Sequence, residues 1–510
     1  MISNKTPKNM LHKADQLPMN NSFASLGTEF FSRVKPFPFN NAPQLVHLNQ
    51  EAAKLIDLNT NLAHRDILTK VFSGQSMIID SDPLAMLYAG HQFGGFVPQL
   101  GDGRAMLIGE TRNAKNEQWE IQLKGSGVTP YSRNGDGRAV LRSTIREYLC
   151  SEAMHALNIP TTRALCMVAS HDEIYRENIE TAAMLTRLAP SHIRFGSFEV
   201  FYYRKQFEPL KILADYVIDH HYTEFKNKTD RYILWLEAVI DRTSKLMAQW
   251  QSVGFCHGVM NSDNMSILGL TLDYGPYGFL DDFNPDYICN HSDHQGRYAY
   301  KQQPQIGLFN LSCFAQAILP LIDPNSEQAE KIATQLLGTY QDRYSRYDLN
   351  NMRAKLGLVD TGNISPTDDA AIINNLLIIM ASDQVDFTIL FRIMCDFDSQ
   401  QPSNNQAIQD MFVDITAYQY WARQYSERLQ QQNEPDQARS IRMKAVNPKY
   451  ILRNYMAEAA IREAEDNSNF TEIDRLFDLL QHPFDEQTDQ EKYARLPPDW
   501  ASKISVSCSS

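Results

Sequence analysis

The stretch that decides the fold is residues 257–275, which read HGVMNSDNMSILGLTLDYG. It holds an amide and a carboxylate, Asn264 and Asp273, about ten residues apart. Side-chain oxygens of these two types are suitable ligands for Mg²⁺ or Mn²⁺. A turn joining two short strands would bring both to one cation lying between two phosphates. The stretch therefore predicts a loop that binds a divalent cation and a nucleotide.

The segment is similar to the catalytic loop of protein and small-molecule kinases, which opens with His-Gly-Asp or His-Arg-Asp and ends with Asp-Phe-Gly. Asn264 takes the place of the metal-binding Asn, and residues 273–275 (Asp-Tyr-Gly) take that of Asp-Phe-Gly. The kinase base position falls on Val259, which cannot accept a proton, and Asp263 lies beside Asn264 instead. General-base help contributes roughly 10²–10⁴-fold, so we expect nucleotide binding to be kept and ordinary kinase chemistry to be weakened.

Three strings extend the likeness over nearly the whole chain: HGVMNSDN, YAGHQFGGFVPQLGDGRA and QLKGSGVTPYSRNGDGRAVLRSTIREYL. In these strings the chain resembles the selenoprotein O family. The resemblance implies an α+β, protein-kinase-like (pseudokinase) two-lobed fold, with a β-rich N-lobe, a helical C-lobe and an extra C-terminal helical region. It also implies transfer of a nucleoside monophosphate, AMP from ATP or UMP from UTP, to protein hydroxyls.

Length and charge limit the classes of protein to which the chain can belong. The chain has 510 residues, of which 43% are hydrophobic and 10% aromatic, as in a folded globular protein large enough for two or more lobes. It carries 48 basic and 61 acidic residues, a net charge of −13, with no long basic run. Non-specific nucleic-acid binding depends on Lys and Arg that neutralise phosphates, so we expect no nucleic-acid partner.

The cysteine pattern, together with the lack of a secretory-signal core and of a long apolar run, predicts a cytoplasmic protein. Seven cysteines are scattered without a Cys-x-x-Cys pair, which favours a reducing compartment over a disulfide framework or a zinc site. The first residues lack the apolar core of a secretory signal, and no run of 18 apolar residues indicates a membrane span. We expect a monomer that does not bind membranes.

The pattern along the chain predicts four parts. They are an N-terminal extension packed on the first lobe (1–75), the kinase-like N-lobe (76–190), the helical C-lobe with the catalytic loop (191–400), and a C-terminal helical region with a tail (401–510). The polar stretch 396–406, DFDSQQPSNNQ, is the predicted linker before the last part.

The pattern of the predicted N-lobe is typical of strands and turns that lie over a bound nucleotide. FVPQL is a strand candidate, GDGR a tight turn and AMLIGE a second strand, and residues 119–124 alternate between apolar and polar up to Lys124. Gly101 and Gly103 would let the backbone approach a phosphate, and Arg104 adds positive charge. Each signal alone is weak, since such turns are often plain hairpins, but the separation of the turn from Lys124 fits a nucleotide site.

A helix is predicted over residues 139–158, where apolar residues recur at helical spacing before Pro160. Kinases place in such a helix the Glu that pairs with the strand lysine. Glu147 is our choice for that role, with Glu152 as the rival partner. Asp136 and Gly137 precede the helix, either as an N-cap Asp with a turn glycine or as a phosphate-binding helix start.

Other assignments come from the resemblance. It implies that Arg187 and Arg194 bind the terminal phosphate of a nucleotide held in the reverse direction, so that the α-phosphorus faces the acceptor. It also suggests a regulatory disulfide between Cys289 and Cys508; without the resemblance, a free terminal thiol is the simpler reading.

Two further features of the loop region are interpreted as structural rather than as catalytic or metal-binding. We expect His257 to be a packed core histidine that braces the loop. The carboxylates of Asp281, Asp282 and Asp286 suggest a second metal, but an exposed acidic loop is the preferred interpretation.

The combined prediction is a protein nucleotidyltransferase. The residues expected to bind the nucleotide, directly or through its metal ion, are Gly101, Gly103, Arg104, Lys124 (paired with Glu147), Asp136, Gly137, Arg187, Arg194 and Asp273. Asn264 and Asp273 would hold Mg²⁺ or Mn²⁺, and Asp263 would deprotonate a Ser, Thr or Tyr hydroxyl of an acceptor protein, which attacks the α-phosphorus and releases pyrophosphate. Two alternatives stay open: a phosphotransferase acting on a small molecule or a protein, and a non-catalytic nucleotide-binding scaffold.

Overall fold

A computed structural model of the chain describes residues 11–360, 362 and 365–506. Strands β1 to β13 are, in order, Met19–Asn20, Phe31–Arg33, Gln44–Leu48, Leu84–Met86, Gly90–Gln92, Gly95–Val97, Ala105–Arg112, Gln118–Lys124, Ala139–Val140, Arg163–Tyr175, Ile179–Ala189, Phe255–Cys256 and Gly278–Phe279. Helices α1 to α8 are Gln50–Lys54, Arg65–Phe72, Leu141–Ala156, Gly196–Tyr203, Phe207–His221, Arg231–Ser252, Gln303–Ile322 and Ser326–Leu337. Helices α9 to α16 are Tyr340–Lys355, Pro366–Asp383, Phe387–Ile393, Gln406–Gln409, Ile415–Gln430, Asp436–Lys444, Asn454–Asn467 and Thr471–Gln481.

Most of the described strands form one antiparallel sheet in the first part of the chain. Its order is β2-β4-β7-β8-β11-β10-β3, with β1 paired to β7 and β9 paired to β11. The alternation over residues 119–124 is confirmed as β8, and AMLIGE is confirmed as part of β7. β2 and β3 belong to the sheet, so the predicted N-terminal extension contributes strands to it.

One strand prediction is wrong in its placement. Of FVPQL only the first two residues are extended, and β6 pairs with β5 in a separate hairpin outside the large sheet. Pro98 has no backbone N–H to donate to a ladder, which explains why the strand ends before it.

The second half of the chain is helical, so the described fold is α+β with a sheet-rich part followed by a helix-rich part. The predicted helix over 139–158 corresponds to α3. α3 packs against β10 and β11 on one side and against α15 and α16 on the other, so twelve of its sixteen residues are buried.

The core is divided into three apolar clusters. The largest joins one side of the sheet to α3, to the helices α4 to α7 and to α15 and α16. A second lies among α9 to α14, and a third lies under α1 and α2 on the outer side of the sheet. In the predicted linker at 396–406, Phe397 and Ser399 are buried, so this stretch is packed against its neighbours.

One helical segment, Tyr300–Ile322, is long and apolar enough to cross a membrane by length and composition. Half of its most apolar window is buried inside the fold, where Phe314 packs against Phe195 and Trp235. Buried core helices of globular proteins pass the same test, so this helix by itself does not indicate a membrane span.

Candidate active site

A cavity of about 410 Å³ opens between the sheet-rich part and the segment 259–276. Its size is within the range of small-molecule and cofactor sites. The cavity brings together ten of the predicted site residues, which come from distant parts of the chain. These are Gly101, Gly103, Arg104, Lys124, Asp136, Gly137, Arg187, Arg194, Asn264 and Asp273.

The glycine-rich turns fit closely against their neighbours. A Cβ on Gly101, where φ is +138°, would lie 2.5 Å from the ring of Tyr131. A Cβ on Gly137, where φ is +68°, would lie 2.1 Å from the backbone of Gly127. Both positions therefore require glycine, and the backbone at the cavity wall stays free of side chains that would keep a phosphate away.

Lys124 is paired with Glu147. Its Nζ atom lies 2.6 Å from Oε2 of that carboxylate, and both residues are buried. The rival, Glu152, is instead bound to Arg163, whose Nη2 atom lies 2.8 Å from its Oε2. Burial lowers the pKa of Lys124, while the two carboxylates around it oppose that shift.

Asp273 lies at the centre of three cations. Its Oδ1 atom accepts from Nζ of Lys124 at 3.1 Å and from Nη1 of Arg187 at 2.5 Å, and its Oδ2 atom accepts from Nη1 of Arg194 at 2.7 Å. Burial alone would raise the pKa of Asp273, but the three cations hold it well below its ordinary value. Asp273 is therefore ionised, as a metal ligand must be.

Arg187 links the lysine pair to the aspartate. Its Nη1 atom also donates to Oε1 of Glu147 at 3.0 Å, and its Nε atom donates to Oε1 of Gln122 at 3.0 Å. The guanidinium is thus held in one orientation at the base of the cavity, with its charge directed towards the position of Asp273.

Asn264 and Asp273 form a donor set that fits a hard divalent cation. The Nδ2 atom of Asn264 donates to the backbone oxygen of Val259 at 2.9 Å, so that bond does not use the amide oxygen, the atom of Asn264 that could bind a cation. Within the described residues no group of three or more His, Cys, Asp or Glu is arranged around a metal position. Two protein oxygens suit Mg²⁺ or Mn²⁺, which complete their shell with phosphate oxygens and water.

Asp263 lies behind the cavity wall rather than on it. Its Oδ2 atom accepts from Nε2 of Gln92 at 3.1 Å, whereas its Oδ1 atom is buried without a hydrogen-bond partner. Burial raises the pKa of Asp263 to about 7, although Arg194 and Gln92 oppose the shift. A hydroxyl can reach Oδ1 only after a local shift of the carboxyl or of the chain that covers it.

Comparison of the sequence with known proteins places the chain in a family. The model of the family described as protein adenylyltransferase SelO matches residues 13–481. The chain belongs to that family. It is 53% identical over 497 residues to the protein nucleotidyltransferase YdiU of Thiobacillus denitrificans, an alignment that covers 97% of this chain and 99% of the relative.

Other relatives with the same name align with a similar share of the chain. The protein nucleotidyltransferase YdiU of Thioalkalivibrio sulfidiphilus is 50% identical, with 98% of this chain and 100% of the relative covered. That of Myxococcus xanthus is 49% identical, with 97% and 99% covered. The resemblance seen in the three sequence strings is thereby confirmed over nearly the whole chain.

In this SelO-family chain Asp136 is not the N-cap of the following helix. α3 begins at Leu141, and the two residues before it form β9, which pairs with β11. The carboxylate of Asp136 instead accepts from Arg176 at 2.8 Å and from the backbone N–H of Arg138 at 2.9 Å. The sequence could not show this because a two-residue strand leaves no periodic signal.

One feature of the loop region is as expected, and the other is as expected only in part. His257 is buried, its Nε2 atom is 2.9 Å from the backbone oxygen of Leu272, and its ring stacks on Trp250. Of the three acidic residues expected to form an exposed loop, Asp286 is exposed and lies beside Lys301, whereas Asp281 and Asp282 are half-buried and Asp281 is bound to Arg453.

The predicted disulfide remains a prediction. Cys289 is buried with a free thiol, and Cys508 lies outside the described residues. The backbone N–H of His291 donates to the oxygen of Val506 at 2.9 Å, so the chain near the carboxyl end passes close to this loop.

Sequence reasoning gave no role to several residues of the site. Gln92 and Gln122 each fix a charged side chain, and the guanidinium of Arg194 stacks 4.7 Å from the ring centre of Tyr88. Arg133 and Arg176 add positive charge to the cavity wall. Gln92 and Tyr88 lie in one of the three strings that carry the resemblance, so that string marked the region without showing what each residue contacts.

Proposed function

We propose that this chain transfers a nucleoside monophosphate from a nucleoside triphosphate to hydroxyl groups of proteins. Family membership and the shared name of its relatives support protein nucleotidyl transfer. AMP from ATP is the first candidate group, and UMP from UTP is the second. The acceptor atoms are Ser, Thr or Tyr hydroxyl oxygens. Scattered cysteines, free where described, support a reducing compartment such as the cytoplasm.

One observation carries the proposal at this site. Lys124 contacts both Glu147 and Asp273, and Asn264 lines the same cavity. This set of a lysine, a helix glutamate, an asparagine and an aspartate is the one that protein kinases use for nucleotide and metal. It supports our proposal of a kinase-like, two-lobed fold, in which α3 carries the glutamate.

The cationic residues would hold the triphosphate. Lys124, Arg187 and Arg194 are buried around one point, and Arg104 lies on the cavity wall beside the glycine turn. Three cations in a buried cluster with two carboxylates favour an added anion, because the cluster carries excess positive charge. Phosphate groups at this position would replace part of the contact between the cations and Asp273.

Asn264 and Asp273 would bind Mg²⁺ or Mn²⁺. When bound, such an ion neutralises charge on the bridging phosphate oxygens. The contribution of the chain is to hold Asp273 ionised and to place Asn264 on the wall of the same cavity.

Asp263 would act as the base. The acceptor hydroxyl gives its proton to a carboxylate oxygen of Asp263, and its oxygen forms a bond to the α-phosphorus. The bond between the α-phosphorus and the oxygen that bridges to the β-phosphate breaks, and pyrophosphate leaves with that electron pair. The electropositive groups around the phosphates stabilise the charge that develops there.

Labelled ATP tests the proposal. Incubation of the protein and candidate acceptors with ATP carrying ³²P at the α-phosphate should leave label on protein, and γ-labelled ATP should leave none. The reverse result would establish a phosphotransferase. No label from either position, combined with nucleotide binding in calorimetry, would establish a non-catalytic nucleotide-binding protein. Intact mass of the acceptor after incubation with each triphosphate identifies the group transferred.

A further inference from the structure

The hairpin formed by β5 and β6 covers the side chain of Asp263. In this hairpin, called here the 90–97 hairpin, Gly90 pairs with Val97, His91 with Phe96, and Gln92 with Gly95. It has no strand pairing with the large sheet. Its contacts are made instead with the segment that carries the metal ligands, which follows 171 residues later in the chain.

Two of the three hydrogen bonds between the hairpin and this segment lie next to the Asp263 carboxyl. The backbone N–H of His91 donates to Oγ of Ser262 at 2.7 Å, and Nε2 of Gln92 donates to Oδ2 of Asp263 at 3.1 Å. The first bond fixes the hairpin beside the carboxylate. The second fixes one carboxylate oxygen and leaves the other, Oδ1, without a partner.

Gly90 lies directly against the same carboxyl group. A Cβ at this position would be 2.5 Å from Oδ1 of Asp263, 2.9 Å from its Cβ and 3.0 Å from its Cγ. Any side chain at residue 90 would therefore push the Asp263 carboxyl away from its place. This close fit is specific to residue 90. A Cβ on Gly95 of the same hairpin would meet only the backbone oxygen of Gln92, at 3.6 Å.

The hairpin is anchored on its other side, so it is a fixed support. Nδ1 of His91 lies 2.5 Å from Oε2 of Glu199, a fully buried residue of α4. The ring of Phe96 packs on that of Tyr203, with centroids 3.9 Å apart. The backbone N–H of Ala89, just before the hairpin, donates to the oxygen of Gly196 at 3.0 Å.

We propose that Gln92 and Gly90 are positioning residues for Asp263 in nucleotidyl transfer. Gln92 binds Oδ2 and leaves Oδ1, which Gly90 covers, as the oxygen that accepts the proton of the acceptor hydroxyl once the carboxyl itself shifts locally towards the cavity. Because Gly90 has no side chain, the Asp263 carboxyl can lie directly against the backbone of the hairpin. This inference rests on the proposed role of Asp263 as the base. Neither residue contacts the nucleotide cavity, so both act through Asp263.

The test compares three variants of the full-length protein. Gly90→Ala should lower kcat about 10²-fold, the cost of a displacement of about 1 Å in a reacting group. Gln92→Met, which keeps the length of the side chain but has no donor, should lower kcat about tenfold, the effect of about 1.4 kcal/mol. Gly95→Ala should keep the wild-type kcat.

The KM for ATP and the stoichiometry of ATP binding in calorimetry should stay at their wild-type values in all three variants. A general loss of folded protein would lower the stoichiometry instead. If Gly90→Ala does not fold, Gln92→Met alone decides the matter. Wild-type kcat in Gln92→Met, or an equal fall in Gly95→Ala, would overturn the inference.

A double variant separates this inference from the proposed function. Asp263→Asn should lower kcat strongly, and adding Gln92→Met to it should lower kcat no further, because the residue that Gln92 positions is already lost. A further tenfold fall would show a structural role and overturn the inference while leaving the base assignment intact. Wild-type kcat in Asp263→Asn would overturn the base assignment, and the positioning role with it.

Discussion

The Nη1 atom of Arg194 lies 2.7 Å from Oδ2 of Asp273 and 2.7 Å from the backbone oxygen of Asp263. One guanidinium group therefore ties the proposed metal ligand to the loop that carries the proposed base. Arg194 is also one of the three cations around Asp273. A phosphate that binds Arg194 in place of Asp273 would therefore change the contacts of both the proposed metal ligand and the loop that carries the proposed base.

Replacing Arg187 or Arg194 should weaken nucleotide binding. A hydrogen bond to a charged group contributes about 1.5–3 kcal/mol, so Arg194→Gln should raise the Kd for ATP by about 10–100-fold. Arg187→Lys should have a comparable effect, because a lysine cannot reproduce the separate bonds to Gln122 and Glu147. Calorimetric titration with ATP and Mg²⁺ measures both.

The matched control is Arg462→Gln, an exposed residue of α15 that pairs with Glu458. It should bind ATP as the wild type does. Equal Kd values for Arg194→Gln and the wild type would contradict the proposed phosphate contact.

The two members of the buried lysine pair should differ in their effect on stability. Lys124→Met leaves Glu147 bound to Arg187, so the free energy of unfolding should stay close to that of the wild type. Glu147→Gln leaves three buried cations with Asp273 alone and should lower the free energy of unfolding by about 3–5 kcal/mol. Urea denaturation measures this difference.

Both variants should lose transfer activity, with a fall of about 10²-fold or more for Lys124→Met, because it removes a buried charge at the phosphates. Lys54→Met, in an exposed pair with Glu51, is the control for stability, since such pairs contribute about 0–1 kcal/mol. A larger loss of stability in Lys124→Met than in Glu147→Gln would contradict the charge balance described here.

Asp273→Ala should separate nucleotide binding from metal binding. The variant should show no transfer, because it lacks one of the two proposed metal ligands. In EDTA, however, it should bind ATP more tightly than the wild type, because Lys124, Arg187 and Arg194 are no longer neutralised by the carboxylate. Calorimetry with ATP in EDTA and in Mg²⁺ distinguishes the two effects.

The exposed Asp286→Ala serves as the control and should behave as the wild type does under both conditions. Mg²⁺-dependent transfer by Asp273→Ala at the wild-type rate would remove Asp273 from the metal site.

The carboxyl-terminal helices should support the position of α3. Arg146, next to Glu147 in the chain, is buried and donates from Nη2 to the backbone oxygen of Tyr277 at 2.8 Å and to Oδ1 of Asn454 at 3.1 Å. Asn454→Ala leaves part of this charge unpaired, so the free energy of unfolding should fall by about 1–3 kcal/mol.

Transfer activity of Asn454→Ala should also fall, because the shift of α3 moves the partner of Lys124. Asn467→Ala, an exposed change on the same helix α15, is the control and should change neither property. Wild-type activity together with lowered stability in Asn454→Ala would show that the contact stabilises the fold without positioning Glu147.

The sequence predicted the parts of the site that depend on local order. Lys124 ends an alternating strand, and Asn264 and Asp273 flank one short loop, so their spacing along the chain limits where their side chains can lie. The glycines at 101 and 137 belong to short strings that are typical of tight turns. The sheet-then-helix order followed from the same local patterns, although the pairing of β6 with β5 alone did not.

Only the tertiary structure decided the contacts between distant segments. Glu147 and Glu152 are five residues apart on α3, which separates them by about 140° around the helix axis. Since α3 is buried on most of its circumference, its apolar pattern could not show which face meets Lys124. The contact of Gly90 and Gln92 with Asp263 joins segments far apart in the chain, and no periodicity records such a contact, because it depends on how the hairpin packs against the loop.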